Sequence, residues 1–106
     1  MTEPTASGAA PTGAQAIVVI PTPARYMRRL ANHFRHRITV DLQPETATLH
    51  FPDGLGTLEA RGGELLLRLE ARSPETLARY QEVVSRHLKQ VAPDEAVDVH
   101  WSAAVT

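Results

Sequence analysis

Apolar and polar residues alternate along most of the chain, and two stretches change to a helical spacing. The first apolar run, Ala16 to Ile20, contains β-branched residues and stops at Pro21, which predicts a short strand. Thr22 then offers an N-cap oxygen, and Pro23 stands at the first helical position, where proline is tolerated. A helix is therefore expected to begin here.

The first helix has a single apolar stripe, whose members recur at i, i+3, i+4 and i+7. We expect it to end near His36, because period-two alternation begins at Ile38. The stripe consists of Met27, Leu30, Ala31 and Phe34.

The middle of the chain alternates at period two and is interrupted by three turn signals. The strongest signals are Pro52-Asp53-Gly54 and Arg61-Gly62-Gly63, because glycine accepts positive φ and proline presets φ. Four strands in series with short turns predict an antiparallel meander with one apolar face. The predicted apolar positions are Ile38, Val40 and Leu42; Ala47, Leu49 and Phe51; Leu58 and Ala60; and Leu65, Leu67, Leu69 and Ala71.

A second helix follows, with Ser73 as N-cap, Pro74 in its first turn and Pro93 beyond its end. Residues 97–101 then alternate again and predict a last strand. The stripe of this helix is Leu77, Tyr80, Val84, Leu88 and Val91.

This pattern predicts the order β-α-β-β-β-β-α-β, a two-layer α+β sandwich with both helices on one face of a mainly antiparallel sheet. The order is similar to TATA-binding-protein-like and helix-grip topologies. We expect a single domain over residues 16–102 and a frayed end at 103–106. Residues 1–15 are mostly Ala, Thr, Pro, Gly and Ser, a composition that predicts a disordered tail.

Composition excludes several classes of protein. The chain has no cysteine, so disulfides, thiolate metal sites and thiol catalysis are excluded. No apolar run approaches the length of about 20 residues that a membrane-spanning helix needs. The first residues do not form a typical secretory signal, so we expect a cytoplasmic protein. Five arginines cluster between Arg25 and Arg37, but the net charge is only −1, which argues against nucleic-acid binding.

Histidines are the main candidates for chemistry. On a helical wheel, Arg25, Arg29, His33 and His36 share one ridge beside the apolar stripe of the first helix, and His87 flanks the stripe of the second. If the helices lie side by side, His33, His36 and His87 could converge on one concave surface with Arg29 at its rim. Imidazoles bind transition metals such as Fe or Zn, and the arginines could bind an anionic ligand.

The competing interpretation is structural, because a histidine near a helix end caps carbonyls and interacts favourably with the helix dipole. His50 and His100 fall on the outward side of strands and are expected in solvent. No catalytic site is expected, since the sequence lacks a nucleophile elbow, a phosphate loop and an H-E-x-x-H zinc pattern.

Spaced motifs in the right order resemble the bacterial domain-of-unknown-function family 2218. They run through Ala24-Arg25-Tyr26-Met27, His33-Phe34-Arg35-His36, Phe51-Pro52, Leu58-Glu59-Ala60, Leu67-Arg68-Leu69-Glu70-Ala71, Val83-Val84, His87-Leu88 and Val99-His100-Trp101. The resemblance covers about residues 16–102 and includes the three helix histidines. It departs at Asp53, where members tend to carry an aromatic residue, and at residues 91–95, where members often have a basic, aromatic-containing segment.

Family members resembling this chain are small bacterial proteins, sometimes beside or joined to siderophore-interacting flavin reductases. The resemblance thus implies a link to iron or siderophore handling. Two hypotheses follow: a small binding or accessory module with a ligand or metal site at the histidine ridge, or an interaction domain that docks a flavin reductase or forms a homodimer, with structural histidines.

Overall fold

The order of elements is the predicted one. A computed structural model of the chain describes residues 12–104. Its elements are β1 Gly13–Val19, α1 Pro23–Phe34, β2 Thr39–Leu42, β3 Thr46–Phe51, β4 Gly54–Arg61, β5 Glu64–Ala71, α2 Pro74–Val91 and β6 Ser102–Ala103.

The strands form one six-stranded sheet in the order β2-β3-β4-β5-β1-β6. Every neighbouring pair is antiparallel, and β1 lies between the last strand of the meander and β6. In the register, Leu67 faces Leu58 on one side and Ala16 on the other. Aligned apolar positions of this kind give the sheet one continuous apolar face.

Both helices cover that face, which confirms the predicted α+β architecture. The core contains fully buried leucines from the sheet, among them Leu49, Leu65 and Leu67, packed with Met27 and Leu30 of α1. Each fully buried side chain of this size contributes roughly 1.5–3 kcal/mol. Within residues 12–104, no helix covers the opposite face of the sheet, which we call the open face.

Strand β1 begins earlier than predicted. It starts at Gly13, three residues before the expected boundary, and pairs with β5 along its whole length. Gly13–Gln15 resemble the preceding residues 2–12 in having no large apolar residue. They are nevertheless a strand, because they pair with Arg68, Leu69 and Glu70 of β5. The rest of the predicted tail, residues 1–11, lies outside the described part of the chain.

The two helix starts differ. The predicted cap at Ser73 is confirmed: its hydroxyl accepts a hydrogen bond from the Thr76 amide at 3.1 Å. The predicted side-chain cap at Thr22 is wrong. The backbone of this residue has the left-handed conformation (φ 45°), and its side chain makes no capping hydrogen bond. Its carbonyl instead accepts bonds from the Arg25 and Tyr26 amides.

The last predicted strand is displaced. Residues 97–101 have no strand pairing, and β6 comprises only Ser102 and Ala103, opposite Gln15 and Ala14. Trp101 nevertheless packs against the core and donates its indole N–H to Ser85 of α2 at 2.8 Å. The alternation thus predicts correctly that Val97, Val99 and Trp101 face the core, although the segment pairs with no strand.

The fold also extends further than the frayed end predicted for residues 103–106. Ala103 is paired, and Ala104 is buried with its amide bonded to the Gly13 carbonyl at 3.0 Å. Helix α1 ends at Phe34, two residues before the predicted end. Neither α1 nor α2 is long and apolar enough to cross a membrane.

Candidate functional site

The candidate site lies where the two helices run side by side. Tyr26 donates its hydroxyl hydrogen to the Glu95 carboxylate at 3.0 Å, and Arg29 donates to the Val91 carbonyl at 3.4 Å. One turn further along α1, His33 meets His87. Residues further along α1 therefore contact residues that come earlier in α2 and the segment after it, so the two helices are antiparallel.

His33 and His87 form the centre of the site. Their ring centroids are 4.5 Å apart and the ring planes are inclined by 43°. Phe34 lies beside both rings, with centroid distances of 6.1 Å to His33 and 5.3 Å to His87. Because His33 flanks the buried stripe of α1 and His87 flanks that of α2, packing the two stripes on one sheet brings the rings together.

Further aromatic rings hold Phe34 in place. Phe34 packs edge-on against Phe51 at 5.6 Å, and Phe51 stacks on Tyr80 at 4.3 Å. The Tyr80 hydroxyl accepts a hydrogen bond from the Asp53 amide at 3.2 Å. The histidine pair therefore rests on a row of rings that joins α1, β3 and α2.

The tautomer of neutral His87 follows from its hydrogen bond. Its Nδ1 lies 2.7 Å from the Val83 carbonyl, one turn earlier on α2. A carbonyl only accepts hydrogen bonds, so Nδ1 carries the hydrogen. In the neutral ring the lone pair is then on Nε2, which is the arrangement commonly found in a metal-binding histidine.

The surroundings of His33 favour its neutral form. Partial loss of water lowers its pKa below the usual value of 6.5, and the positive charges that His87, His36 and Arg37 carry when protonated lower the pKa further. Among described residues, no hydrogen bond occupies either ring nitrogen of His33. This imidazole is thus available as a lone-pair donor near neutral pH.

The structure brings the other predicted site residues together only in part. Arg29 lies one helical turn before His33; its guanidinium lies over the Tyr26 ring, 5.6 Å from the centroid, and donates to the Val91 carbonyl one turn after His87. His36 follows α1 in an exposed turn, and within the described chain no ring contact joins it to the pair.

Arg25 lies away from the pair. It lines a cleft of about 340 Å³ at the start of α1, together with Glu45 and Arg61. Eight residues separate it from His33, a rise of roughly 12 Å along a helix. Arg25 is therefore not part of the histidine site.

The described part of the chain adds no third protein ligand to the pair. Within residues 12–104, no group of three or more His, Cys, Asp or Glu side chains is placed to hold a metal ion. The set of His33, His36 and His87 predicted as a metal site is thus reduced to two imidazoles. Any ion held there must take its other ligands from elsewhere.

The remaining two histidines each contact a carboxylate. His50 is exposed and donates to Asp41 across the open sheet face at 2.8 Å, and His100 pairs with Asp98 at 2.9 Å. Both were expected in solvent, and both are exposed.

Sequence reasoning missed two supports of the site. The Val83 carbonyl could have been found, since it lies four residues before His87 on one helix. The stack of Phe51 on Tyr80 joins distant elements and has no local signal.

The comparisons with known proteins identify the family. A family model described as an uncharacterized protein conserved in bacteria (DUF2218) matches residues 15–102. The chain belongs to this family. The resemblance stated from the sequence is therefore confirmed. No curated protein matches.

Two solved structures show the same fold. The chain is similar to PA4090 from Pseudomonas aeruginosa, with 31% identity and a TM-score of 0.73, covering 86% of this chain and 95% of that one. It is also similar in fold to part of a phosphoglucomutase/phosphomannomutase family protein from Burkholderia thailandensis, with 20% identity and a TM-score of 0.54. That match covers 85% of this chain and 19% of the larger protein. The DUF2218 fold thus occurs both in small chains and as a portion of a longer one.

Proposed function

We propose that this DUF2218 protein is a small cytoplasmic binding module whose ligand is held at the His33–His87 pair. The observation that supports this most strongly is the 4.5 Å approach of two imidazoles from different helices. Rings this close can share one ion with metal–nitrogen bonds of about 2.0–2.1 Å. The process in which we place this module is iron or siderophore handling, which the family resemblance implies.

Chemistry favours a metal or a metal-bearing ligand over a simple anion. The two rings themselves could hold an anion only when protonated, but the pKa of His33 is lowered, chiefly by partial loss of water. The hydrogen bond from His87 to the Val83 carbonyl leaves Nε2 as the lone-pair atom in the neutral ring. Neutral imidazole suits Fe, Zn, Cu and Ni.

Nuclear magnetic resonance of the histidine rings tests this proposal. The full chain, without a histidine tag, is titrated with Zn(II), with Fe(II) and with the gallium complex of a hydroxamate siderophore. We expect at least one probe to shift or broaden His33 and His87 while His50 and His100 stay unchanged. If neither these probes nor an anionic metal chelate with open coordination positions perturbs the pair, the proposed binding site is wrong.

A separate observation favours the alternative of a protein-interaction domain. Ile17 and Val19 are 53% and 78% exposed, and both project from β1 on the open face of the sheet. Neighbouring exposed apolar side chains can mark a contact surface, here for a flavin reductase or a second copy. Sedimentation of the wild type and of Ile17→Thr/Val19→Thr over a range of concentrations tests self-association. A wild type that stays monomeric at high concentration and also does not sediment together with an added flavin reductase would contradict this alternative.

A further inference from the structure

The charges around the histidine pair restrict what it can bind. Apart from the His87 ring, which must be neutral to bind a metal, the groups whose charge acts on His33 are His36 and Arg37, and both are basic. Arg29 adds a further guanidinium one turn away along α1. Among the described residues no carboxylate joins the pair in a metal-holding cluster.

A bare dication therefore fits this site poorly. Two neutral imidazoles contribute no negative charge, and the nearby cations repel the incoming ion. A metal that already carries an anionic chelator avoids this difficulty, because the complex as a whole is attracted by the basic rim. Such a complex also supplies the ligands that the protein lacks.

Resting on the proposed function, we infer that the ligand is an anionic chelate of a divalent transition metal with two adjacent coordination positions open. His33 and His87 fill those two positions, and the 4.5 Å separation of their rings is consistent with adjacent rather than opposite places on the ion. His87 binds through Nε2, since Nδ1 donates to the Val83 carbonyl. Arg29 and Arg37 attract the negative charge of the chelator.

Three nickel complexes separate coordination from charge. Nickel nitrilotriacetate is anionic and leaves two adjacent positions open. Nickel tris(2-aminoethyl)amine leaves the same two positions open but is cationic, whereas nickel ethylenediaminetetraacetate is anionic and has all positions filled. Each is titrated calorimetrically into the full, untagged chain.

We expect the nitrilotriacetate complex to bind at least about tenfold more tightly than the cationic complex, and the saturated complex not to bind. Paramagnetic broadening should centre on His33 and His87. Replacing either histidine by glutamine should weaken binding at least about tenfold, the scale at which even outer-shell partners act. His50→Gln and His100→Gln are matched controls at exposed histidines and should leave binding unchanged.

Arg37→Gln tests the charge argument without touching the coordinating rings. The variant should lose part of the preference for the anionic complex over the cationic one, and because Arg37 is exposed it should fold normally. Thermal unfolding of each variant verifies this.

The other possible results of these titrations distinguish failure of the inferred ligand class from failure of the proposed function. Equal binding of the anionic and cationic complexes would overturn the charge inference while the binding site stands. Binding of the saturated complex would replace metal coordination with simple anion attraction. If no nickel complex binds but another probe perturbs the pair, the ligand class is wrong; if nothing perturbs it, the proposed function itself fails.

Discussion

At the scale of single residues, His33 couples the site to pH. Its folded-state pKa lies below the unfolded value near 6.5, because partial loss of water and the nearby basic groups disfavour the charged ring. The unfolded chain thus takes up this proton more readily than the folded one. Stability from this group is complete above pH 6.5 and falls as the pH drops through that value.

We therefore expect His33→Gln to show a smaller loss of unfolding free energy between neutral and mildly acidic pH than the wild type. Denaturant titrations at several pH values measure it, and His100→Gln, an exposed position, should keep the wild-type loss. His87→Gln should raise the pKa of His33 in a ring-resonance titration. A His33 pKa at or above 6.5 in the wild type would contradict this account.

Gly54 is a second residue-scale position whose identity is dictated by its contacts. A Cβ there would lie 2.2 Å from the Glu70 carbonyl oxygen and 2.9 Å from the Tyr80 ring. Backbone cannot move aside cheaply, so Gly54→Ala should cost about 1–3 kcal/mol, as overpacking does.

Gly63 provides the matched control, because a Cβ there meets nothing within 4 Å. Gly63→Ala should change stability by less than about 0.5 kcal/mol. Denaturant unfolding compares the free energies of unfolding of the two variants. If Gly54→Ala were as stable as Gly63→Ala, β4 and β5 would have to separate locally to accommodate the added methyl group.

At the scale of elements, sequence periodicity predicted what depends on neighbours along the chain. In β5 the alternation is confirmed, with Leu67 and Leu69 buried and Arg68 and Glu70 exposed. The extent of β6 was not predictable, because alternation shows which side chains turn inward but not whether a partner strand is near enough to pair. Whether Thr22 or Ser73 caps its helix likewise depends on backbone angles imposed by the fold.

The alternation in β5 gives a direct stability test. Leu67 is fully buried between the sheet and the helices, so Leu67→Ala should cost about 2–5 kcal/mol. Arg68 makes an exposed hydrogen bond to Gln15 at 3.3 Å, and Arg68→Ala should change stability by less than about 0.5 kcal/mol. Equal losses in urea unfolding would contradict the assignment of the two sheet faces.

At the scale of the whole molecule, the site arises from topology. The sequence placed His33 and His87 beside apolar stripes on separate helices, and the family motifs contained both. Their meeting depends on the pairing of β1, which precedes α1, with β5, which precedes α2, and on the two helices running antiparallel on one face. His36 shares the ridge on a helical wheel, but α1 ends at Phe34, so the wheel no longer describes it.

The boundary of the folded domain is likewise a property of the whole molecule. The described fold is closed at its amino end by two bonds: the Ala71 amide to the Thr12 carbonyl at 2.9 Å, and the Ala104 amide to the Gly13 carbonyl at 3.0 Å. Residues 2–11 contain no large apolar side chain to add to the core. Deleting them should leave the melting temperature nearly unchanged, whereas deleting residues 2–15 removes the first three residues of β1 and should lower it clearly. Calorimetric unfolding of the two truncations compares them directly, and a large drop for the shorter deletion would show that these residues dock on the domain.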